Sequence, residues 1–174
     1  MNADKDPSHA ASESMADLML RALALELDAS DRYAMFADAM ASANNPEVAQ
    51  LFRTMAEVEG KHAHEIRVQM GWEEAAPPLP NRGFDPAETI DVDDVHYLMH
   101  PWHALKLALG AEQRAERLFA NIARQATDAG VRAAALHLQA EETEHVALIE
   151  AWLLRVPVPA ANWAEDPDPP RYDQ

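Results

Sequence analysis

Apolar residues recur every three or four positions over four long stretches of the chain, a spacing typical of amphipathic helices. These stretches predict helices over residues 14–43, 46–70, 101–127 and 131–155. Boundary signals agree with the pattern, since Ser14 is a suitable N-cap and Pro46 is well placed in a first helical turn. Gly71 provides a stop for the second helix, and Pro157 ends the fourth. The pattern therefore indicates an all-α protein.

The lengths of the connections predict how these helices are arranged. The first and third connections are short, whereas residues 72–100 form a long, proline-containing connection with room for a short helix over residues 91–99. Short connections favour antiparallel hairpins, and a long crossover can join two such hairpins into a bundle. The predicted organisation is a tail, a helical domain and a second, acidic and proline-rich tail, at residues 1–13, 14–155 and 156–174.

One glutamate interrupts the apolar stripe near the middle of each predicted helix. These residues are Glu26, Glu59, Glu112 and Glu142. A single glutamate in such a stripe is commonly a boundary residue that reaches water, but four in equivalent places form a pattern. Burying an ionised carboxylate without a partner costs several kcal/mol. We therefore expect cations at these glutamates, and two divalent ions would balance four carboxylates.

Two histidines extend the pattern, because His62 follows Glu59 at the same spacing at which His145 follows Glu142. Side chains three residues apart lie on one helix face, so each Glu-x-x-His pair can bind one metal ion. Oxygen-rich ligation with two imidazoles suits iron, and manganese or zinc are candidate substitutes. The sequence therefore predicts a two-metal site with six ligands: Glu26, Glu59, His62, Glu112, Glu142 and His145.

The two halves of the chain are similar to each other around these residues. Aligning Glu26 with Glu112 places Tyr33 opposite Phe119, and the two Glu-x-x-His pairs align in the same way. This similarity predicts a duplicated helical hairpin, with a pseudo-twofold axis between two equivalent metal positions. Tyr33 itself is interpreted as a core residue, with a role as a donor beside the metals as the alternative.

The glutamate and Glu-x-x-His pattern resembles the di-iron carboxylate proteins of the ferritin superfamily. The segments ALELDASDRY, FRTMAEVEGKHAHEI and QAEETEHVALI look most like those of rubrerythrins. The resemblance covers residues 14–155 and implies a ferritin-like antiparallel four-helix bundle, with a long crossover between its second and third helices. It also implies two iron ions bridged by Glu59 and Glu142, with the other four side chains as terminal ligands.

Two features depart from rubrerythrins proper. The chain contains no cysteine, so it lacks the domain with cysteine-bound iron that delivers electrons in those proteins. We therefore expect an external electron donor. Rubrerythrins also have an extra glutamate one turn after the first glutamate of the third helix, where this chain has Ala115. Glu116 is only loosely equivalent, and the sequence leaves open whether it replaces the missing ligand.

The formal net charge is −16, from 30 acidic and 14 basic residues. Such a charge repels phosphate backbones and anionic lipids, so we predict no nucleic-acid and no membrane partner. The N-terminal residues lack the apolar core of a signal peptide, and no apolar run has the length of a membrane span. We therefore expect a cytoplasmic protein. Apolar positions and tryptophans near the helix ends favour a homodimer.

The sequence supports two functional hypotheses. The main one is a non-haem di-iron oxidoreductase that acts on peroxide or dioxygen, or that oxidises ferrous iron. The alternative is a non-catalytic role in iron binding or storage, or a structural interaction bundle. His96, His100 and His103 lie around the start of the third helix and are interpreted as loop and cap residues, with a second metal site as the alternative.

Overall fold

A computed structural model describes residues 14–75, 77–78 and 95–165, and four α-helices account for most of them. The helices are α1 (Met15–Ser42), α2 (Pro46–Met70), α3 (Pro101–Gln125) and α4 (Ala129–Leu153). No strand occurs in these ranges, and the predicted all-α class is confirmed. The predicted N-terminal tail and residues 166–174 lie outside the described residues. No helix among those described is long and apolar enough to cross a membrane.

Side-chain caps explain where the helices begin and end. The Ser14 hydroxyl accepts a hydrogen bond from the backbone N–H of Asp17, whose carboxylate accepts one from the N–H of Ser14. At the start of α4, the Asp128 carboxylate accepts a 2.9 Å hydrogen bond from the N–H of Val131. Because Asp128 is the cap, α4 begins two residues earlier than predicted. Gly71, with a φ of +67°, adopts the left-handed conformation that ends α2.

Two apolar clusters fill the bundle, one on either side of the four glutamates. The Tyr33 cluster contains Tyr33, Phe36, Met40, Val48, Phe52, Met99, Ala104, Leu105 and Leu109 among its buried members. The Phe119 cluster contains Leu18, Leu23, Ala63, Ile66, Phe119, Ile122, Val131 and Leu138 among its own. Burying such side chains is the main favourable contribution to folding. The glutamates therefore lie in a layer enclosed by apolar packing, hereafter the glutamate layer.

The order in which each helix passes through these clusters defines the topology. α1 runs from the Phe119 cluster to the Tyr33 cluster, α2 and α3 run the opposite way, and α4 runs parallel to α1. α1 packs along α2 and α3 along α4, and the two hairpins meet through α1 with α4 and α2 with α3. Since α2 and α3 are parallel, the end of α2 and the start of α3 lie at opposite ends of the bundle, whose 25-residue helices are about 37 Å long. The predicted antiparallel bundle with a long crossover is confirmed.

The first part of the predicted short helix in the crossover, residues 91–94, lies outside the described residues. Its described part, residues 95–99, contains a turn closed by a hydrogen bond from the Met99 N–H to the His96 carbonyl, and no helix. The Asn45 side-chain amide donates a 2.6 Å hydrogen bond to the Met99 carbonyl. This bond fixes the end of the crossover to the turn between α1 and α2, next to the Tyr33 cluster.

Candidate metal centre

Each helix contributes one glutamate to the glutamate layer. These residues are Glu26, Glu59, Glu112 and Glu142. With exposed fractions between 5% and 8%, they are among the most buried polar residues in the described part of the chain. Their burial follows from register, because each lies three or four residues from apolar positions on the inward face of its helix. The predicted interruption of each apolar stripe is therefore a buried carboxylate.

The C-terminal hairpin forms the tighter of two similar groups. The Nδ1 atom of His145 lies 3.3 Å from a carboxylate oxygen of Glu112 on α3. The same nitrogen lies 3.6 Å from an oxygen of Glu142, one turn earlier on α4. One imidazole nitrogen therefore faces two carboxylates, one from each helix of the hairpin.

The N-terminal hairpin repeats this arrangement with longer distances. The Nδ1 atom of His62 lies 3.9 Å from an oxygen of Glu26 and 3.8 Å from an oxygen of Glu59. The same ring nitrogen faces the same pair of helix positions as in the other hairpin. The internal repeat seen in the sequence is therefore also a repeat of side-chain geometry.

The two groups meet at their histidines. The rings of His62 and His145 stack with centroids 4.7 Å apart. Among the described residues, the potential ligand atoms form two close groups. In each group, every ligand atom is at most 4.8 Å from the others. The groups are Glu59–His62–His145 and Glu112–Glu142–His145. Five of the six predicted ligands belong to these groups. Glu26 belongs to neither, although it approaches His62.

Burial changes the proton affinity of the C-terminal group. Burial raises the pKa of Glu142 to about 8, and the negative charge of Glu112 adds to this effect while the hydrogen bond with His145 opposes it. Burial alone would lower the pKa of His145, but its hydrogen bonds and charge interactions with Glu112 and Glu142 raise it to about 10. Near neutral pH, protons on Glu142 and His145 therefore reduce the negative charge of this group.

The N-terminal group shares a proton in a comparable way. Burial and the neighbouring Glu59 raise the pKa of Glu26 well above its ordinary value. Burial also acts to raise the pKa of Glu59, but hydrogen bonds from His62 and Glu26 lower it overall. The opposite directions of these two shifts favour a proton on Glu26 over one on Glu59.

This donor set fits two metal ions. In ferritin-like di-iron carboxylate proteins, two helices each supply a Glu and the other two each supply a Glu-x-x-His pair, all directed inward. Here α1 and α3 supply the single glutamates, and α2 and α4 supply the pairs. Two divalent cations would neutralise the charge of the four carboxylates. Without metal, bound protons neutralise part of that charge. Oxygen and imidazole donors suit iron, manganese or zinc.

Glu116 does not join the glutamate layer. Its carboxylate accepts a 2.7 Å hydrogen bond from the Thr143 hydroxyl on α4, and it is absent from both candidate ligand groups. Ala115, at the position of the extra rubrerythrin glutamate, instead lines a cleft that reaches Glu26 and Glu112. In the part of the chain that the structure describes, Glu116 therefore does not take the place of the extra ligand.

Tyr33 is a core residue that lies close to the glutamate layer. Its ring is 2% exposed and stacks on Phe52 at 6.0 Å, as expected for a core residue. Burial raises the pKa of its phenol well above the ordinary value, and the charges of Glu112, Glu59 and Glu142 add to this shift. Tyr33 is therefore a neutral core side chain at the border of the glutamate layer.

Two of the three histidines near α3, His96 and His103, pack against a tryptophan. Trp163 lies 3.8 Å from His103 and 5.3 Å from His96, measured between ring centroids. The Nδ1 atom of His103 accepts a hydrogen bond from the backbone N–H of His100. The Nδ1 atom of His96 accepts one from the backbone N–H of Leu98. None of the three belongs to a candidate ligand group in the described part of the chain. Their geometry agrees with the loop and cap interpretation.

Two clefts reach the glutamate layer, and the sequence analysis recognised neither. One lies between α2 and α4 and the other between α1 and α3. Glu65, His137 and Glu141 line the first, although the sequence pattern assigned them no role. Glu65 follows His62 by three residues, which places both on one face of α2. That spacing is a signal of the cleft, but only the arrangement of the helices in the folded bundle reveals it.

Comparisons with known proteins agree with this architecture. A family model described as Rubrerythrin matches residues 17–153. The crystal structure of an uncharacterized conserved protein from Magnetospirillum magnetotacticum MS-1 is 35% identical, with a TM-score of 0.65 over 84% of this chain and 98% of that chain. A bacterioferritin from Rhodobacter capsulatus, described with a metal-free dinuclear site and heme iron, is 20% identical. Its TM-score is 0.57 over 80% of this chain and 83% of that chain, which shows a shared fold. No curated protein matches significantly.

Proposed function

This chain belongs to the rubrerythrin family, and on that premise we propose that it is a non-haem di-iron oxidoreductase acting on peroxide or dioxygen. The observation that carries the proposal is the repeated group of two buried carboxylates facing one imidazole nitrogen, found once in each hairpin. A structural bundle has no need of four buried carboxylates, because apolar side chains of similar size stabilise a core as well or better.

The proposed ligands divide between the two hairpins. Glu26 and His62 would be terminal ligands in the first hairpin, as Glu112 and His145 would be in the second. Glu59 and Glu142 would bridge, which is supported by their positions on α2 and α4, the helices whose histidines stack across the centre. A carboxylate has two oxygen atoms, so each of these two side chains would be able to contact both metal ions.

Two ferrous ions, when bound, supply the two electrons that, with two protons, reduce one hydrogen peroxide molecule to two water molecules. The chain's own residues do the rest. The apolar clusters above and below the glutamate layer exclude bulk water, which strengthens the electrostatic interactions inside it.

Repeated turnover requires electrons from outside the chain. The sequence contains no cysteine that could hold a second iron centre. We therefore propose a separate reductase or small electron carrier as the donor.

The test is a titration of protein loaded anaerobically with ferrous iron. We expect each peroxide added to oxidise two bound ferrous ions, followed by absorbance of the ferric product and by assay of residual peroxide. An external reductant should then restore the ferrous state and allow further turnover. The double variant E59Q/E142Q should lose this reaction, because both proposed bridges are removed.

The matched control is E57Q/E144Q. Glu57 and Glu144 are exposed and lie on the same helices as the bridging residues, two positions away from them. This control makes the same charge change and should react like the wild type. Iron that binds with the expected stoichiometry but reacts with peroxide no faster than free ferrous iron would favour the non-catalytic alternative. Equal loss of activity in both double variants would contradict the site assignment.

A further inference from the structure

The cleft between α2 and α4 connects the glutamate layer with solvent. Its inner end is formed by Glu26, which is 8% exposed, and by His62. Its outer part is lined by Glu65 and Gln69 of α2 and by His137 and Glu141 of α4. We call this the α2–α4 cleft. It is a polar passage that ends at two of the proposed metal ligands.

Helix register builds this passage from one face of each helix. On α2, His62, Glu65 and Gln69 are three and four residues apart, so they lie in a row along the helix. On α4, His137 and Glu141 are four residues apart and form the facing row. The two rows place the carboxylates of Glu65 and Glu141 between the solvent and the buried glutamates.

The second cleft, between α1 and α3, has a different character. It reaches all four buried glutamates, but its accessible walls are largely apolar and include Leu25, Ala29 and Ala115. The carboxylate beside it, Asp28, is already paired with Arg32 at 2.6 Å. A cation approaching this cleft meets a guanidinium and an apolar wall. The α2–α4 cleft is therefore the better path for a positively charged ion.

The carboxylates of the α2–α4 cleft are more accessible to a cation. Glu65 pairs with Lys61 at 3.5 Å, but both side chains are largely exposed, and such pairs are weak. Glu141 lies 3.7 Å from His137, which is also exposed. Exchanging these contacts for a divalent ion costs little, since each exposed partner can return to water.

We propose that the α2–α4 cleft is the route by which divalent metal ions reach the buried centre. Glu65 and Glu141 attract the hydrated ion, Gln69 and His137 provide further polar contacts, and Glu26 and His62 receive the ion at the inner end. This inference rests on the proposed function, because it assumes a metal centre in the glutamate layer. It adds residues that take part in loading the centre without belonging to it.

The experiment measures the rate of metal uptake separately from its final extent. Metal-free protein is mixed with cobalt(II), whose visible absorption reports ligand binding, or with ferrous iron under anaerobic conditions and a chelator to stop the reaction. The variant E65Q/E141Q should take up metal about three- to tenfold more slowly at low salt, since carboxylates that steer cations raise association rates. Its final stoichiometry should equal that of the wild type. The rate difference should shrink at high salt, because dissolved ions screen exposed charges.

Two further variants make the result specific. E57Q/E150Q removes two exposed carboxylates from the same two helices outside the cleft, and its uptake rate should match the wild type. Q69E adds a carboxylate inside the cleft and should accelerate uptake. Circular dichroism confirms that each variant is folded before its rate is compared.

The outcomes separate this inference from the proposed function. Normal stoichiometry with equal uptake rates in the wild type, E65Q/E141Q and Q69E overturns the uptake route and leaves the metal centre intact. If metal uptake is slowed equally in E57Q/E150Q and in E65Q/E141Q, the uptake route is also overturned. The net charge of the protein, and not the cleft, would then control the uptake rate. A wild-type protein that binds less than one ion at equilibrium overturns both proposals.

Discussion

The imidazole rings of His62 and His145 stack 4.7 Å apart with planes only 9° from parallel, although they come from different hairpins. Each ring also faces two carboxylates of its own hairpin through Nδ1. The stacked pair therefore joins two equivalent groups into one centre. This relationship is the reason to expect two metal ions that act together and not two independent sites.

Metal stoichiometry is the most direct consequence. Protein reconstituted anaerobically with ferrous iron and freed of excess metal should retain about two ions per chain, the number held by ferritin-like di-iron sites. Metal analysis by plasma emission against amino-acid analysis checks the ratio. Less than one tightly bound ion in a folded sample would contradict the proposed centre.

Metal should stabilise the protein through the glutamate layer. At a free metal concentration one hundred times Kd, binding adds about 2.7 kcal/mol, which raises the unfolding midpoint of a chain of this size by roughly 5 to 10 °C. The variant E59A/E142A lacks both proposed bridges and should respond little. Calorimetry with and without metal checks both proteins. Equal responses would mean that the ions bind at the acidic surface.

The pH dependence of the metal-free protein follows from its raised pKa values. The pKa of Glu142 rises from 4.5 to about 8 on folding, so its stabilising contribution is complete below 4.5 and is lost as pH rises through 8. The pKa of His145 rises from 6.5 to about 10, so its contribution is complete below 6.5 and is lost as pH rises through 10. The metal-free protein should therefore become less stable between about pH 6 and about pH 9.

Metal binding should show the opposite trend. A metal ion must displace the protons on Glu142 and His145, so its affinity, and the stabilisation that it produces, should increase with pH. Urea unfolding of both forms across this pH range measures the two slopes. The variant E142Q removes one titrating group and should flatten the metal-free curve. A metal-free protein whose stability rises with pH would contradict this account of the glutamate layer.

Phe52 tests the packing that encloses the centre. Its side chain is fully buried and contacts both Tyr33 and Phe36, with ring centroids 6.0 Å and 5.5 Å away. F52A should lower the free energy of unfolding by about 3 to 5 kcal/mol, the usual cost of removing a buried phenylalanine. Urea unfolding measures the change. L154A, at a leucine that is 89% exposed, is the control and should have almost no effect.

Self-association is the remaining prediction. Large apolar side chains are exposed on three helices, among them Met35, Val58, Val68, Leu136 and Leu148. Contiguous apolar surface favours association, and we expect a homodimer at micromolar concentration. Sedimentation velocity gives the particle mass. A monomer at high concentration would contradict the prediction, and a closed shell of many subunits would favour the storage alternative.

The sequence by itself determined the helices and the candidate ligands. Helix periodicity is a local property, so the apolar stripes predicted α2 at its observed bounds and the other helices within two residues. Glu59 and His62 share a face because of their spacing alone, and Glu142 with His145 repeats that spacing. The buried glutamates were recognisable because charged residues seldom occur in an apolar stripe.

The tertiary structure decided how these local units meet. The sequence does not state that His62 faces His145, that Glu26 lies outside both close ligand groups, or that Glu116 turns to Thr143. These relationships depend on the offset and rotation of one hairpin against the other, which arise from packing between residues far apart in the chain. The α2–α4 cleft has the same origin, because its two rows of polar side chains become a passage only when the folded bundle brings them to face each other.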